Sequence, residues 1–328
     1  MKRLPTSAST VVLRHGEVAF QDQYGARDVW VFPHEGLFLM HYDAAGDQGW
    51  RAALATSHDG IQWQKQGPIL DLGGPAESDS ASASYGTTYF DGERWHMFYL
   101  GTPNATNDVL KTPSFPYATL KAWARKPTGP WIKQREVKPI ATSPGTWYSH
   151  TASPGQIVAT SSGYVMLFSA ATVSDDGQIL RTLGVARTDS LDAPWTVDAE
   201  PMLPLTEQVE NASLYYEPVN DTWFLFTNHI ARDPDQLPIP PQLSNEYTDA
   251  VWVYWAPDPT EFVTEQRAVV VDARSSGWSP TVIGLPSVLV IGRRLALYYD
   301  GATGATIGHG GRDVAVTWLD LPLSPPLG

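Results

Sequence analysis

The chain has 328 residues, with 22 basic against 35 acidic side chains and a formal net charge of −13. That balance argues against nucleic acid or an anionic membrane surface as a partner and favours a neutral ligand. With no cysteine, neither a disulfide framework nor thiol chemistry is available.

The N-terminus, MKRLPTSASTVVLRHG, is basic but lacks the apolar core of a secretory leader, so a cytoplasmic location is expected. STVVLRHGEVAF (9–20) is a lone strand-like segment. A pattern then begins that recurs five times: a strand of buried type, a turn, an aromatic strand and a third strand. The first copy runs DVWVF, HEGLFLMHYD, ALATSHDGIQW, and the second SYGTTYF, DGERWHMFYLG, LKAWARKPTGPW. The third is SPGQIVA, SSGYVMLFSA, LGVARTDSLDAPW, and the fourth SLYYE, VNDTWFLFTNH, AVWVYWAPDPTEF. The fifth is PSVLVI, IGRRLALYYDG, RDVAVTWLDLPL. QKQGPIL, IKQREVKPI, TVDAEPMLP and TEQRAVVVD supply a fourth strand to the first four copies only.

Matching Asp28, Ser84, Ser153, Ser213 and Ser287 gives intervals of 56, 69, 60 and 74 residues. No copy contains a long amphipathic helix pattern. The longest apolar stretch, TVIGLPSVLVIG, is too short to cross a bilayer. Repeated four-stranded sheets with short edges predict an all-β, five-bladed β-propeller, one domain over 1–328. The N-terminal strand is expected to close the last blade, because the fifth copy runs out before its fourth strand. A two-sheet sandwich is the rival, but it needs no fivefold pattern.

In a propeller the innermost strands line a central channel, so residues opening those strands face the cavity. Among these openings only two carry a carboxylate, Asp28 and Glu210. Such a pair can act as general base and general acid in glycoside hydrolysis. The competing reading pairs Asp28 with Arg27 or has it cap a turn, and pairs Glu210 with Arg181 or Arg312. Aromatic residues line sugar sites but also fill β-rich cores. Trp30, Tyr85, Trp147 and Tyr148 are candidate sugar platforms on those terms. Asn211, His229 and Ser153 are further candidates for substrate contact. Asp43 and Asp300 end second strands, which open on the same cavity, and a structural turn role fits them at least as well. No compact His, Asp and Glu spacing indicates zinc.

Five blades, with an Asp opening the first and a Glu opening the fourth 182 residues later, resemble the five-bladed propeller glycoside hydrolases, family 43 above all. SHDGIQW and DSLDAPW, which end third strands, are similar to that group as well. The resemblance implies an enzyme that cleaves arabinose- or xylose-type linkages, with Asp28 as base and Glu210 as acid. It implies a carbohydrate partner and no cofactor beyond a Ca²⁺ or other hard cation in the channel. In IGHGGRD (307–313) it implies that Arg312 contacts sugar hydroxyls and that His309 sits near a channel ion, with Asp313 supporting Arg312 or the turn. Two departures stand out. Ser153 occupies the place of the Asp that tunes the acid in that family, and RDVWV lacks the Pro that follows its base. His150, three residues earlier, is the candidate replacement, as the acid or as a partner of Glu210. A glycan-binding propeller without catalysis and a phosphorolytic enzyme resembling family 130 remain as alternatives, and the oligomeric state is open.

Overall fold

The computed structural model describes residues 2–230, 248–304 and 308–326; Ile307, the first residue of IGHGGRD, lies outside them. The described residues form strands, two short 3-10 turns and loops, the all-β class expected. None of the described helices is long and apolar enough to cross a membrane.

Strand β1 (Thr10–Leu13) precedes the repeats. The first repeat comprises β2 (Gly25–His34), β3 (Leu37–Gly46), β4 (Gly49–Ser57) and β5 (Gln64–Pro68). The second comprises β6 (Ser82–Phe90), β7 (Trp95–Thr102), β8 (Ala118–Ala124) and β9 (Ile132–Lys133). In the third, β10 (Thr151–Ser153) and β11 (Ile157–Thr160) are two halves of one inner strand, followed by β12 (Gly163–Val173), β13 (Ile179–Thr188) and β14 (Thr196–Val197). The fourth holds β15 (Val209–Glu217), β16 (Thr222–Ile230), β17 (Thr248–Ala256) and β18 (Arg267–Asp272). The fifth holds β19 (Ser287–Ile291), β20 (Arg294–Gly301) and β21 (Asp313–Asp320). Within every repeat, strands adjacent in the sheet pair antiparallel. The first two repeats share one sheet through a short parallel pairing, Trp50 with Ser82 and Arg51 with Ala83.

Local chemistry explains the hairpins. Between β2 and β3, His34 pairs with Leu37 across Glu35 and Gly36, both at positive φ (47° and 81°). That is the two-residue turn whose twist matches the flanking strands. The motif ending the third strand is a side-chain-capped turn. Asp59 Oδ1 accepts from the amides of Ile61 and Gln62 at 2.8 Å each.

The aromatic that closes each third-strand motif packs on the repeat before it. Trp131 meets His41 of the first repeat edge-on at 6.0 Å, and Trp195 meets Phe98 of the second at 5.6 Å. Phe262 joins Val165 and Leu167 of the third repeat in one cluster. Trp63 of the first repeat packs on Tyr298 of the fifth at 5.9 Å, and the Tyr298 hydroxyl donates to Gly60 O at 2.8 Å. Edge-to-face pairs of this kind contribute about 0.5–1.5 kcal/mol each beyond burial. Much of the aromatic content is therefore spent between repeats.

β1 pairs antiparallel with β21 on the outside of the fifth repeat. His15 N and Nδ1 bind Asp313 Oδ1 at 2.9 and 2.7 Å, and Leu4 and Leu13 are buried. Asp313 thus holds the N-terminal segment, a role that differs from the support of Arg312 or of the turn expected from sequence. Deleting residues 1–20 should leave β21 as an open edge, with two buried leucines removed at about 1.5–3 kcal/mol each. The expected result is an insoluble protein or a broadened thermal transition; an unchanged melting curve would show that β1 is dispensable.

Candidate active site

One pocket gathers residues from all five repeats, among them Arg27, Asp28, Asp43, Ser84, Tyr85, Ser153, Arg181, Glu210, Asn211, His309 and Arg312. Bulges in the inner strands shape it. The registers of β2, β6 and β15 each skip two residues, at Asp28–Val29, Ser84–Tyr85 and Asn211–Ala212. Asp28 and Asn211, the first bulge residues of β2 and β15, both stand at positive φ, 49° and 61°. For a residue other than glycine this costs on the order of 1–3 kcal/mol, and Asp and Asn tolerate it best. The bulges also correct the repeat alignment. Asp28 corresponds to Ser84 and Asn211, so it lies two residues out of step with Ser213.

A network fixes Asp28. Its amide donates to Asp300 Oδ2 at 3.1 Å. Both its oxygens are gripped by the neighbouring guanidinium, Arg27 Nε at 2.9 Å and Nη2 at 3.1 Å. Arg27 Nη1 contacts His309 Nδ1, and the guanidinium lies 5.4 Å from the Trp50 ring centre. Although burial opposes the charge, Asp28, Asp300 and Asp43 together hold Arg27 above its ordinary pKa. Asp300 is fully buried and accepts from Leu285 N at 3.2 Å and from Arg312 Nη1 at 2.8 Å. A Cβ on Gly284 would lie 2.2 Å from the Asp300 carboxylate, so only glycine lets that carboxylate approach. Burial first, then Arg27, lowers the pKa of Arg312.

Glu210 is the other carboxylate. Asn228 Nδ2 donates to its Oε1 at 3.0 Å, and Arg181 Nε lies 3.2 Å from Oε2. Asn211 is oriented by Ser169 Oγ, which accepts its amide at 2.7 Å, and its Nδ2 donates to Asn228 Oδ1 at 2.8 Å. Tyr85 lines the same pocket, and its hydroxyl lies 3.3 Å from both Pro154 O and Asn211 Oδ1. Burial, then the charges of Asp28, Asp43 and Glu210, push its phenol well above the ordinary tyrosine range. Among the described residues no group of three or more His, Asp and Glu side chains is arranged to hold a metal.

No known family profile matches the chain, and no curated protein matches it in sequence. Solved structures do match. One described simply as a glycoside hydrolase superposes with a TM-score of 0.72 at 12% identity, covering 99% of this chain and 96% of its own length. A thermostable family-43 glycoside hydrolase gives 0.63 at 13% identity, covering 93% and 95%. The catalytic domain of the GH62 α-L-arabinofuranosidase of Coprinopsis cinerea gives 0.61 at 11% identity, covering 96% of each chain. The chain shares the propeller fold of these glycoside hydrolases.

Against that fold, the residues singled out from sequence divide. Asp28, Glu210, Ser153, Asn211, Tyr85, Arg312 and His309 line the one pocket. Both pairings of the competing reading are also present, Asp28 with Arg27 and Glu210 with Arg181. The other candidates lie outside the pocket lining. Trp30 donates to Thr88 Oγ1 at 3.0 Å and packs beside Phe32 and Leu54. Trp147 and Tyr148 pack on Phe168, with Trp147 Nε1 bonded to Ala199 O at 3.0 Å. His229 is buried, stacked on Trp252 at 4.3 Å and bonded to the Tyr254 hydroxyl at 2.9 Å. His150 meets the Phe115 ring edge-on at 6.0 Å and is bonded to Ser149 Oγ at 3.0 Å. The aromatic side chains that do line the pocket include Trp50, Phe115 and Tyr117. Phe115 and Tyr117 come from the loop between β7 and β8, which carries no repeat signal in the sequence. That loop reaches the first repeat through Trp50 Nε1 and Leu110 O at 2.7 Å, and the third through Tyr117 N and His150 O at 3.0 Å.

Proposed function

We propose that the chain is a glycoside hydrolase: the five repeats are blades of one five-bladed propeller, closed by the N-terminal strand, and the pocket cleaves a glycosidic bond with inversion. The observation that carries the reading is that Asp28 and Glu210, from the first and fourth repeats, line one pocket with Ser84, Ser153, Ser169, Asn211 and Thr248. Two carboxylates among groups suited to sugar hydroxyls are what the chemistry needs. Asp28 takes a proton from water as that water attacks the anomeric carbon, and Glu210 gives a proton to the departing oxygen. Both transfers use side chains alone, so the reading requires no cofactor. The fold shared with a family-43 enzyme and with an arabinofuranosidase supports an arabinose- or xylose-type substrate.

Phosphorolysis fits less well. Each of the three pocket arginines faces a carboxylate: Arg27 faces Asp28, Arg181 faces Glu210 and Arg312 faces Asp300. A phosphate would have to draw them away. The test is a screen of 4-nitrophenyl glycosides with and without inorganic phosphate, with the first-formed anomer followed by proton NMR. Nitrophenol release without phosphate, with the anomeric configuration inverted, is expected. Release only with phosphate would mark a phosphorylase, and binding of arabinan or xylan without cleavage would mark a glycan-binding propeller.

A further inference from the structure

In the sequence Asp43 reads as a turn residue, in HYDAAG. It is not at a turn. β3 runs on to Gly46 before reversing, so Asp43 is an interior strand position, paired across the sheet with Arg27 and 2% exposed. It lines the same pocket as Asp28. Its Oδ1 accepts the Tyr85 amide, so it joins β3 of the first repeat to the inner strand of the second. Its carboxyl is within hydrogen-bonding reach of Asp28. Two carboxyl groups in direct contact need a proton between them. Arg27 directs Nε and Nη2 to Asp28. Asp43, the more buried of the two, is left as the group that carries the proton.

We infer that Asp43 is a positioning residue for the reaction: as the neutral acid it donates to Asp28, whose two oxygens Arg27 already holds, and so leaves a single lone pair of that carboxylate to face the attacking water. The inference rests on Asp28 being the base. Burial, followed by the charge of Asp28, raises the Asp43 pKa well above the usual carboxylate range; Arg27 and the Tyr85 amide pull it the other way. Glu210, Asp300, His309 and Arg312 complete the charged and titratable surroundings of Asp28 and Tyr85. The proton stays on Asp43 through the cycle, and the proton leaving water goes to Asp28. Asp43 therefore acts through Asp28 without exchanging atoms with the substrate.

The test compares Asp43→Asn with Asp43→Leu. An amide reproduces a protonated carboxyl: its oxygen accepts the Tyr85 amide and its NH₂ donates to Asp28. Leucine does neither. On the 4-nitrophenyl glycoside that the wild type cleaves fastest, Asp43→Asn should retain at least about ten times the kcat of Asp43→Leu. The leucine variant should lose on the order of 10²-fold, the scale of a misplaced reacting group, with KM little changed. Equal loss in both variants would mean that Asp43 works as an anion, and no loss in the leucine variant would mean that it has no role; either overturns the inference. A second readout needs no activity. In ¹³C-aspartate-labelled wild type at neutral pH, one carboxyl should resonate as the protonated acid and vanish in Asp43→Asn. The absence of that resonance overturns the inference even if the protein proves to cleave nothing, and its presence sustains the protonated Asp43 while the assays decide the role of Asp28.

Discussion

Asp28→Asn is expected to abolish cleavage of activated and natural substrates alike, by about 10²–10⁴-fold or more in kcat. A general base is needed whatever the leaving group, because water must be activated in every case. The substitution also has a structural effect, through the pairing with Arg27 that the sequence had offered as the competing reading. Asp28 is the bidentate partner of Arg27, and both side chains are nearly buried. Removing one partner of a buried ion pair costs about 3–5 kcal/mol, because the remaining charge is stranded. Asp300, Asp43 and His309 lie close to Arg27 and soften that cost. The variant should therefore fold with a lowered melting temperature. The decisive measurement is kcat per folded molecule, with the folded fraction taken from the same sample's thermal transition. An Asp28→Asn protein that is folded and retains wild-type turnover removes Asp28 as the base.

Glu210→Gln should split substrates by their leaving groups. A general acid matters most where the departing oxygen is a basic alkoxide, and little where it is a stable phenolate. The variant should lose about 10²–10⁴-fold on a natural sugar–sugar bond and retain most of its rate on a dinitrophenyl glycoside. Glutamine keeps an oxygen for Asn228 Nδ2 and loses only the charge facing Arg181, on a side chain 28% exposed. Its stability should change less than that of Asp28→Asn. His150→Ala is the control. Because His150 is not among the residues lining the pocket, its loss should leave the leaving-group dependence intact. If His150→Ala abolishes cleavage of the natural bond while Glu210→Gln spares it, the acid is His150, and Glu210 serves to bind.

The repeats were legible because turn chemistry and aromatic strands recur together in the sequence, and those patterns mark strands whatever surrounds them. The two-residue offset between Asp28 and Ser213 was not. A bulge adds residues without changing the strand's composition, and the left-handed conformation at Asp28 and Asn211 leaves only a faint trace, a preference for Asp or Asn. The aromatic side chains misled for a related reason. The strand of Trp30 is buried on both faces, so it carries no alternation that separates channel from inter-repeat packing, and Trp147 lies in the turn before β10, where no strand period applies. Asp43 looked like a turn residue because small residues follow it, yet Ala44 and Ala45 are buried strand positions. Asp300 could be placed at the cavity by its position at the end of a second strand, but its bonds to Asp28 and Leu285 could not be read, because only the assembled fold creates them.

The amide of Asp28 is held by a carboxylate 272 residues further along the chain, and that carboxylate is held by Arg312. The working geometry of the first repeat is thus written by the last. On the reading of Asp28 as the base, a ribosome-bound chain gains that base in its held geometry only after residue 312 has emerged and docked against β2. Contacts this distant in sequence form late and slowly. In a refolding experiment the return of catalysis should lag the return of strand signal in circular dichroism, and the lag would time the docking of the two ends.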